Sequence, residues 1–218
     1  MPDHTNQIIQ EVDIMIHEIN EIVSLVSTGP IGTNTYILKN SPVIVIDPGF
    51  GIGHHLKEEC VVLLTHSHYD HICGLNEIKV TKVYVSEEDL QGLGDPSVNK
   101  SRFFGNSFVY DGSFDIFQDT LTIGKWHFDV IRTPGHTKGS VVLSTDGMFF
   151  TGDTIFMDSI GRTDFPESDE KKMVESIKML LNIFKKVDPD LLVLPGHMEW
   201  GKVKELLKRN YFLREALI

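Results

Sequence analysis

Cysteine is nearly absent. The 218-residue chain holds two, Cys60 and Cys73, with no Cys-x-x-Cys pairing, and Cys60 lies in an apolar run where a buried, reduced thiol is expected. A disulfide framework is therefore excluded as the source of stability, and so is a thiolate-rich structural zinc knuckle. Basic residues are the minority, 20 Lys and Arg against 31 Asp and Glu, for a formal net charge of -11, and they form no run. Such a chain is not expected to track nucleic-acid phosphates. It contains no apolar stretch long enough to span a bilayer, so no membrane partner is expected. The opening MPDHTNQIIQEVD lacks a basic leader, a continuous apolar stretch and a small-residue cleavage site, which points to the cytoplasm. Internal repeats and Pro/Ser-rich linkers are missing as well, leaving a single domain over residues 1–218 as the expected organisation.

What is present is a series of short strands punctuated by Gly and Pro. Residues 21–27, 34–40 and 42–47 are β-branched or apolar runs that suggest an antiparallel opening to a sheet, and 60–65 is too continuous to alternate, as befits a strand covered on both faces. A short helix from about Cys73 to Lys79, a strand at 82–86 and an acidic helical turn at 87–90 complete one α/β crossover. The Gly-, Asn- and Ser-containing stretch 92–112 reads as a long surface loop, with a flap over a cleft as the alternative. Gly124-Lys125 and Asp146-Gly147 mark hairpins. The helix expected over 168–187 has Ser168 or Asp169 as its cap and an apolar face of Met173, Ile177, Leu180, Leu181 and Phe184. A last strand at 190–195 and a helical stretch over 199–217 follow. The class is α/β, with two packed sheets flanked by helices.

The stretch THSHYDHICG, residues 65–74, crowds three histidines and an aspartate at the end of the buried strand. On a turning backbone His66 and His68 can converge on one point, and Asp70 with His71 can serve a second point nearby. Imidazole nitrogen and carboxylate oxygen suit zinc, iron or manganese. Three later places, each at the end of an apolar run and beside a glycine, supply further donors: His136, Asp153 and His197. Open α/β sheets place ligands at such strand ends. A single Pro-Gly-His turn would mean little; four such places in this order imply a metal centre, and two metals are conceivable. His4, His17, His54, His55 and His127 have no motif around them and default to surface or packing roles.

The set His-x-His-x-Asp-His at 66–71, then His136, Asp153 and His197, resembles the metallo-β-lactamase superfamily across nearly the whole chain. GPIGTNTYIL at 29–38, IDPG at 46–49 and GRTDFP at 161–166 look more narrowly like the hydroxyacylglutathione hydrolases (glyoxalase II) and their short bacterial relatives. The resemblance implies a four-layered αβ/βα sandwich with two divalent ions between the sheet edges, zinc first, with iron or manganese as alternatives. It implies His66, His68 and His136 on the first ion, Asp70, His71 and His197 on the second, and Asp153 bridging, with Asp70 and Asp153 in the catalytic centre. The best-known lactamases place a cysteine where this chain has Asp153, which points away from antibiotic hydrolysis. Full-length glyoxalase II continues into a helical C-terminal domain that holds the glutathione carboxylates, and this chain is expected to have none.

The expected reaction is hydrolysis of a small-molecule thioester resembling S-lactoylglutathione. Two cations held together lower the pKa of a shared water to about 7 and polarise the carbonyl, and a thiol of pKa about 8.5 leaves without a separate acid. Asp47, Thr65 and Thr154 are expected to fix imidazole tautomers, Arg162 to pair with Asp164 or meet an anionic substrate, and Tyr69 and Lys138 to line the cleft. Two alternatives stand beside this reading. A persulfide dioxygenase would share GRTDF and hold one iron at His66, His136 and Asp153, although its last histidine sits in an Ala-His-Asp-Tyr context and here Gly196, His197, Met198 and Glu199 stand instead. A non-catalytic domain closed by structural metal is the other, against which seven donors speak. A lactonase or other ester hydrolase is possible on the same fold. The acyl group, the thiol carrier and the oligomeric state are not legible.

Overall fold

β-branched runs joined by tight turns build the first of two sheets. In the computed structural model, which describes residues 16–215, β1 (Ile16–Glu18), β2 (Val23–Thr28), β3 (Thr33–Leu38) and β4 (Val43–Ile46) pair antiparallel in sequence order. The sheet then continues in parallel through β5 (Glu59–Leu63), β6 (Lys79–Val85) and β7 (Phe114–Ile116). The change from antiparallel to parallel follows from the crossover over residues 47–58 between β4 and β5, because a parallel partner cannot be reached by a hairpin. The second sheet contains β8 (Thr120–Ile123), β9 (Trp126–Arg132), β10 (Val141–Thr145), β11 (Met148–Gly152), β12 (Leu192–Pro195) and β13 (Gly201–Lys202), in the order β13-β12-β11-β10-β9-β8. Only β11 and β12 run parallel, spanned by the longest helix.

The sheets pack face to face over Tyr36, Leu38, Ile44, Ile46 and Leu63 from the first and Trp126, Phe128, Leu143 and Phe150 from the second, all buried. Helices cover both outer faces. α1 (Tyr69–Ile72) and α2 (Leu90–Gly94) lie on the first sheet, where Ile72, Leu75 and Leu93 pack with Val62, Leu64 and Val83. α3 (Glu170–Phe184), α4 (Val203–Arg209) and α5 (Tyr211–Glu215) lie on the second, where Met173, Ile177, Leu180, Leu181 and Phe184 meet Val142, Phe149 and Val193. The result is the four-layered αβ/βα sandwich. Each apolar stripe read at helical spacing finds a sheet face, which is what stabilises a helix of this length in water. Asp169 caps α3 by accepting from the Lys172 backbone N–H at 3.1 Å.

Several boundaries depart from the sequence-based expectation. The short helix starts at Tyr69, not Cys73, and runs through a 3-10 turn at Cys73–Asn76, so His71 is helical; Lys79 already belongs to β6, whose alternating exposure shows period two. The expected terminal helix over 199–217 is broken. Residues 201–202 form β13, and Asn210 leaves the helical region to donate to the Phe156 and Ser159 carbonyls, both at 2.8 Å, while its Oδ1 caps α5. Residues 216 and 217 of that stretch, and His4, lie outside the described residues. Asp146 and Gly147 both have positive φ, 41° and 79°, which the two-residue hairpin between β10 and β11 requires. Among the described residues no helix is long and apolar enough to cross a membrane.

Candidate metal centre

The strand ends of both sheets meet at one edge of the sandwich, and seven donors meet there. His66 and His68 follow β5 on an extended backbone, with His68 at the N-cap of α1 (φ -67°, ψ 148°), and Asp70 and His71 come from the first turn of that helix. His136 stands in the loop between β9 and β10, Asp153 follows β11, and His197 follows β12. Two glycines allow this convergence. A Cβ at Gly152 (φ 48°) would strike Thr65, which holds the end of β11 against the end of β5; one at Gly196 would strike Asp153 and His71. The His197 loop is gripped from the first sheet. Asn34 Nδ2 donates to the Pro195 and Met198 carbonyls, both at 2.9 Å, and the Tyr36 hydroxyl donates to the Pro195 carbonyl at 2.7 Å.

Outward partners settle which imidazole nitrogens face inward. His136 Nδ1 faces the Arg162 carbonyl at 2.9 Å, His197 Nδ1 the Gly32 carbonyl at 3.3 Å, and His71 Nδ1 the Asp47 carboxylate at 3.0 Å. An acceptor at each outward nitrogen assigns the proton there and leaves Nε2 as a lone pair pointing in. The inward Nε2 atoms of His71 and His197 then lie 3.2 Å apart, and His68 Nδ1 lies 2.9 Å from His136 Nε2. Facing lone pairs repel unless a cation, a proton or a metal, lies between them. His66 Nε2 and Asp153 Oδ1 are buried and have no hydrogen-bond partner among the described residues. Such groups are costly to leave unsatisfied. Two donor groups emerge, His66 with His68 and His136, and Asp70 with His71 and His197, each with its donor atoms within 4.8 Å of one another. Asp153 lies between them, Oδ2 being 3.6 Å from both His136 Nε2 and His197 Nε2. Nitrogen and carboxylate oxygen in this number fit two divalent ions.

Charge is distributed unevenly over the two groups. Burial drives the His136 pKa down to about 4 and lowers His66 further below its usual range, with His71 and His68 nearby adding to the effect, so both are neutral donors. The second group behaves oppositely. Against the penalty of burial, Asp70, Asp153 and Asp47 hold His71 well above its ordinary value, and Asp153 with Asp70 raises His197. Burial would raise the two carboxylates, yet His71 and His197 hold Asp70 and Asp153 well below the usual range. The centre is thus a concentrated negative charge that retains protons when it has no metal.

Of the residues expected to support the donors, Asp47 and Thr65 do so in contact. Asp47 accepts from the Thr65 backbone N–H at 2.7 Å, the Thr65 hydroxyl at 2.5 Å and His71 Nδ1, bonds that offset its left-handed backbone (φ 53°), and Thr65 Oγ1 is 3.2 Å from His66 Nδ1. Thr154 does not. Its hydroxyl meets Thr133 at 2.7 Å, which joins two loops but touches no imidazole. Lys138, expected at the cleft, is exposed in a separate hollow with Glu88, Arg132 and Lys172, because the β9–β10 loop turns it away from the side that carries His136. Arg162 pairs with Asp164 at 2.6 and 2.7 Å and stacks on Phe165. Tyr69 lines the approach to Asp70, its hydroxyl accepting from Asn106 at 2.7 Å. His17, His54 and His127 are exposed, as a default surface role implies, and His55 is half-buried.

Two carboxylates gave no sequence signal. Glu167 faces His68 Nε2 at 3.4 Å and pairs with Lys100 at 2.5 Å; burial opposes its ionisation, but these partners bring its pKa down to about 2. Asp89, inside the acidic turn, is buried and accepts from the Ser67 backbone N–H at 2.9 Å, the Thr137 hydroxyl at 2.9 Å and the Gly139 backbone N–H at 2.8 Å. It ties the His66–His68 segment to the His136 loop. Removing it by Asp89→Ala orphans two buried N–H groups at about 1–3 kcal/mol each. We expect a loss of about 2–4 kcal/mol in urea denaturation; a change within about 0.5 kcal/mol would show that the two loops hold without it.

The donors open onto a cleft of about 480 Å³ walled by Ile31, Lys100, Phe103, Phe104, Arg162 and Phe165. Residues 92–112 are thus a wall of the cleft and more than a surface loop. The segment is anchored by Asn99, whose Nδ2 donates to the Gly92 and Phe108 carbonyls and whose carbonyl accepts from the Tyr69 backbone N–H at 2.7 Å.

A family model described as the metallo-beta-lactamase superfamily matches residues 28–197. Among curated relatives, a probable metallo-hydrolase of Bacillus subtilis, YqgX, is 33% identical over 203 residues, covering 85% of this chain and 94% of its own. The hydroxyacylglutathione hydrolase GloC of Haemophilus influenzae is 28% identical over 186 residues, covering 78% and 86%. Among solved structures, the B3 metallo-beta-lactamase BLEG-1 superposes with a TM-score of 0.75 at 29% identity, over 88% of this chain and 99% of that one. TTHA1623 in a di-iron-bound form superposes at 0.72 and 25% identity, over 87% and 99%.

Proposed function

The chain belongs to the metallo-beta-lactamase superfamily, and from that premise we propose that it is a metal-dependent hydrolase of thioesters. His66, His68 and His136 would hold one divalent ion, Asp70, His71 and His197 the other, and Asp153 would bridge them. When bound, two such ions supply a water whose pKa falls to about 7 and an electrophile for the carbonyl oxygen. Zinc suits the nitrogen-rich first group, and iron is supported by the di-iron form of TTHA1623.

One observation carries the choice of substrate: among the described residues, each candidate proton donor lining the cleft already faces a partner. The outward N–H of each histidine is committed to Asp47, Glu167 or a backbone carbonyl, apart from that of His66, which faces Thr65. Lys100 is paired with Glu167 and Arg162 with Asp164. A leaving group must therefore depart without being protonated, which a thiolate of pKa about 8.5 does and an alkoxide or amide nitrogen does not. The reaction forms one C–O bond from water and breaks the C–S bond, releasing a carboxylate and a thiolate; of the two protons of the water, one ends on the thiolate through solvent and the other is released. The same lack places β-lactam amides, implied by the name of BLEG-1, below thioesters. The name of GloC agrees with the thioester reading.

The test is an assay of the metal-loaded protein on S-lactoylglutathione and simple acyl thioesters near neutral pH, with metal content measured in each sample. We expect turnover with about two metals per chain. Oxygen uptake with glutathione persulfide at one iron per chain, or lactone opening with no thioester turnover, would overturn the assignment.

A further inference from the structure

Beside the donors lies a second cavity, of about 220 Å³, lined by Ile31, Phe50, Tyr69, Asp70, Cys73 and Phe104. It is continuous with the metal cleft, since Ile31, Asp70 and Phe104 wall both. We propose that this cavity is the acyl subsite and that the substrate's acyl group is apolar and unbranched near the carbonyl, several methylenes long; this rests on the thioesterase reading and narrows it.

Few of the cavity's polar atoms are free. The Thr33 hydroxyl donates to Asp70 Oδ2 at 2.8 Å, and the Tyr69 hydroxyl accepts from Asn106, which leaves its own O–H as the one side-chain hydroxyl donor not committed among the described lining residues. The Cys73 thiol is buried and faces the Asp70 carbonyl at 3.9 Å. Asp70 turns its carboxylate toward His71 and His197, at 3.2 and 3.1 Å. What remains is hydrocarbon and aromatic surface. Ile31, Phe50 and Phe104 are 50%, 54% and 42% exposed, so water covers apolar area that a bound chain would release. A charge placed there would find no counter-ion, and a hydroxyl would have only the Tyr69 O–H to meet, so either would be desolvated at a cost. A carbonyl at the donor cluster has two ways to extend, and only this one lacks cations; the other runs past Lys100 and Arg162 and would take the thiol carrier.

The experiment uses the protein as isolated, with a series of N-acetylcysteamine thioesters: acetyl, butanoyl, hexanoyl and lactoyl. Each buried methylene should raise kcat/KM about fourfold until the cavity fills, so hexanoyl, four methylenes longer, should exceed acetyl by up to roughly 250-fold, and lactoyl should lag behind butanoyl. Binding gives an independent readout. By isothermal titration, hexanoate should bind at least about tenfold tighter than acetate. Ile31→Asp, at a half-exposed position that tolerates charge, and Phe104→Ala should both shrink the hexanoyl-to-acetyl ratio, whatever the absolute rates. Thioester turnover with a flat or falling series would overturn the subsite and leave the thioesterase standing. If no thioester is turned over, equal affinity for hexanoate and acetate would overturn the subsite, whereas tighter hexanoate binding would sustain it apart from the reaction.

Discussion

Replacing Asp153 by asparagine is expected to halve the metal content and to lower kcat/KM for a thioester by roughly a thousandfold or more. The carboxylate stands between the two donor groups, Oδ2 at 3.6 Å from His136 and from His197 and Oδ1 at 3.4 Å from His71. Asparagine keeps the shape, loses the charge and aims N–H bonds where a cation would sit. Two dications held close together repel, and the bridging anion is what screens them. Losing one of them forfeits several kcal/mol of transition-state stabilisation, and each 1.36 kcal/mol is about tenfold in rate. The effect should be confined to the site, so the helical signal of α3 in circular dichroism should not change. Wild-type rates with both metals retained would refute the bridge.

Stripping the metals should leave a protein stable only around one pH. His136 has a folded pKa of about 4 against about 6.5 unfolded, so below about pH 6.5 the unfolded chain takes up a proton that the folded chain refuses, and stability falls by about 3 kcal/mol as pH approaches 4. His66, lowered by the same burial, adds to that decline. His71 and His197 act on the other side. Their folded pKa values are raised, so their contribution is complete below about pH 6.5 and is lost as pH rises through the folded values. Asp70 and Asp153, depressed in the fold, contribute fully above about pH 4 and lose that only in stronger acid. The metal-free protein should therefore peak near about pH 6.5. Metals replace the protons of His71 and His197 and bind better as pH rises, which removes the alkaline decline. Urea midpoints of stripped and loaded protein from about pH 5 to 9 measure this; curves separated by a constant offset would contradict it.

The donors were legible because each ends an apolar run, and a strand end is a position that sequence periodicity can locate. The strand pairs and α3 were legible for the same reason, through Asp146-Gly147 and the spacing of Met173, Ile177 and Leu180. The start of α1 was not, because the residues that open it are donors and carry no apolar period. Asp89 gave no signal because its partners, Ser67, Thr137 and Gly139, are distant in sequence and two of its three bonds go to backbone, which any residue presents. Lys138 illustrates the converse. Adjacency to a donor in sequence says nothing about which way a loop turns the next side chain, and two residues beyond His136 it is already in another hollow. The wall at 100–104 was hidden in a stretch with no period at all, and its shape comes from Asn99 bonding across the loop.

Four donors, His66, His68, Asp70 and His71, belong to the first sheet, and three, His136, Asp153 and His197, to the second. A pair of ions held by all seven would be a clamp across the sandwich. As the polypeptide is synthesised, residues 66–71 emerge with four of the seven donors and without the other three. The set closes only when β12 has docked beside β11 and carried His197 across to β3. The distance between the two half-sites is then fixed by how the sheets pack, through Tyr36, Phe150 and their neighbours in the shared core, none of which is a donor.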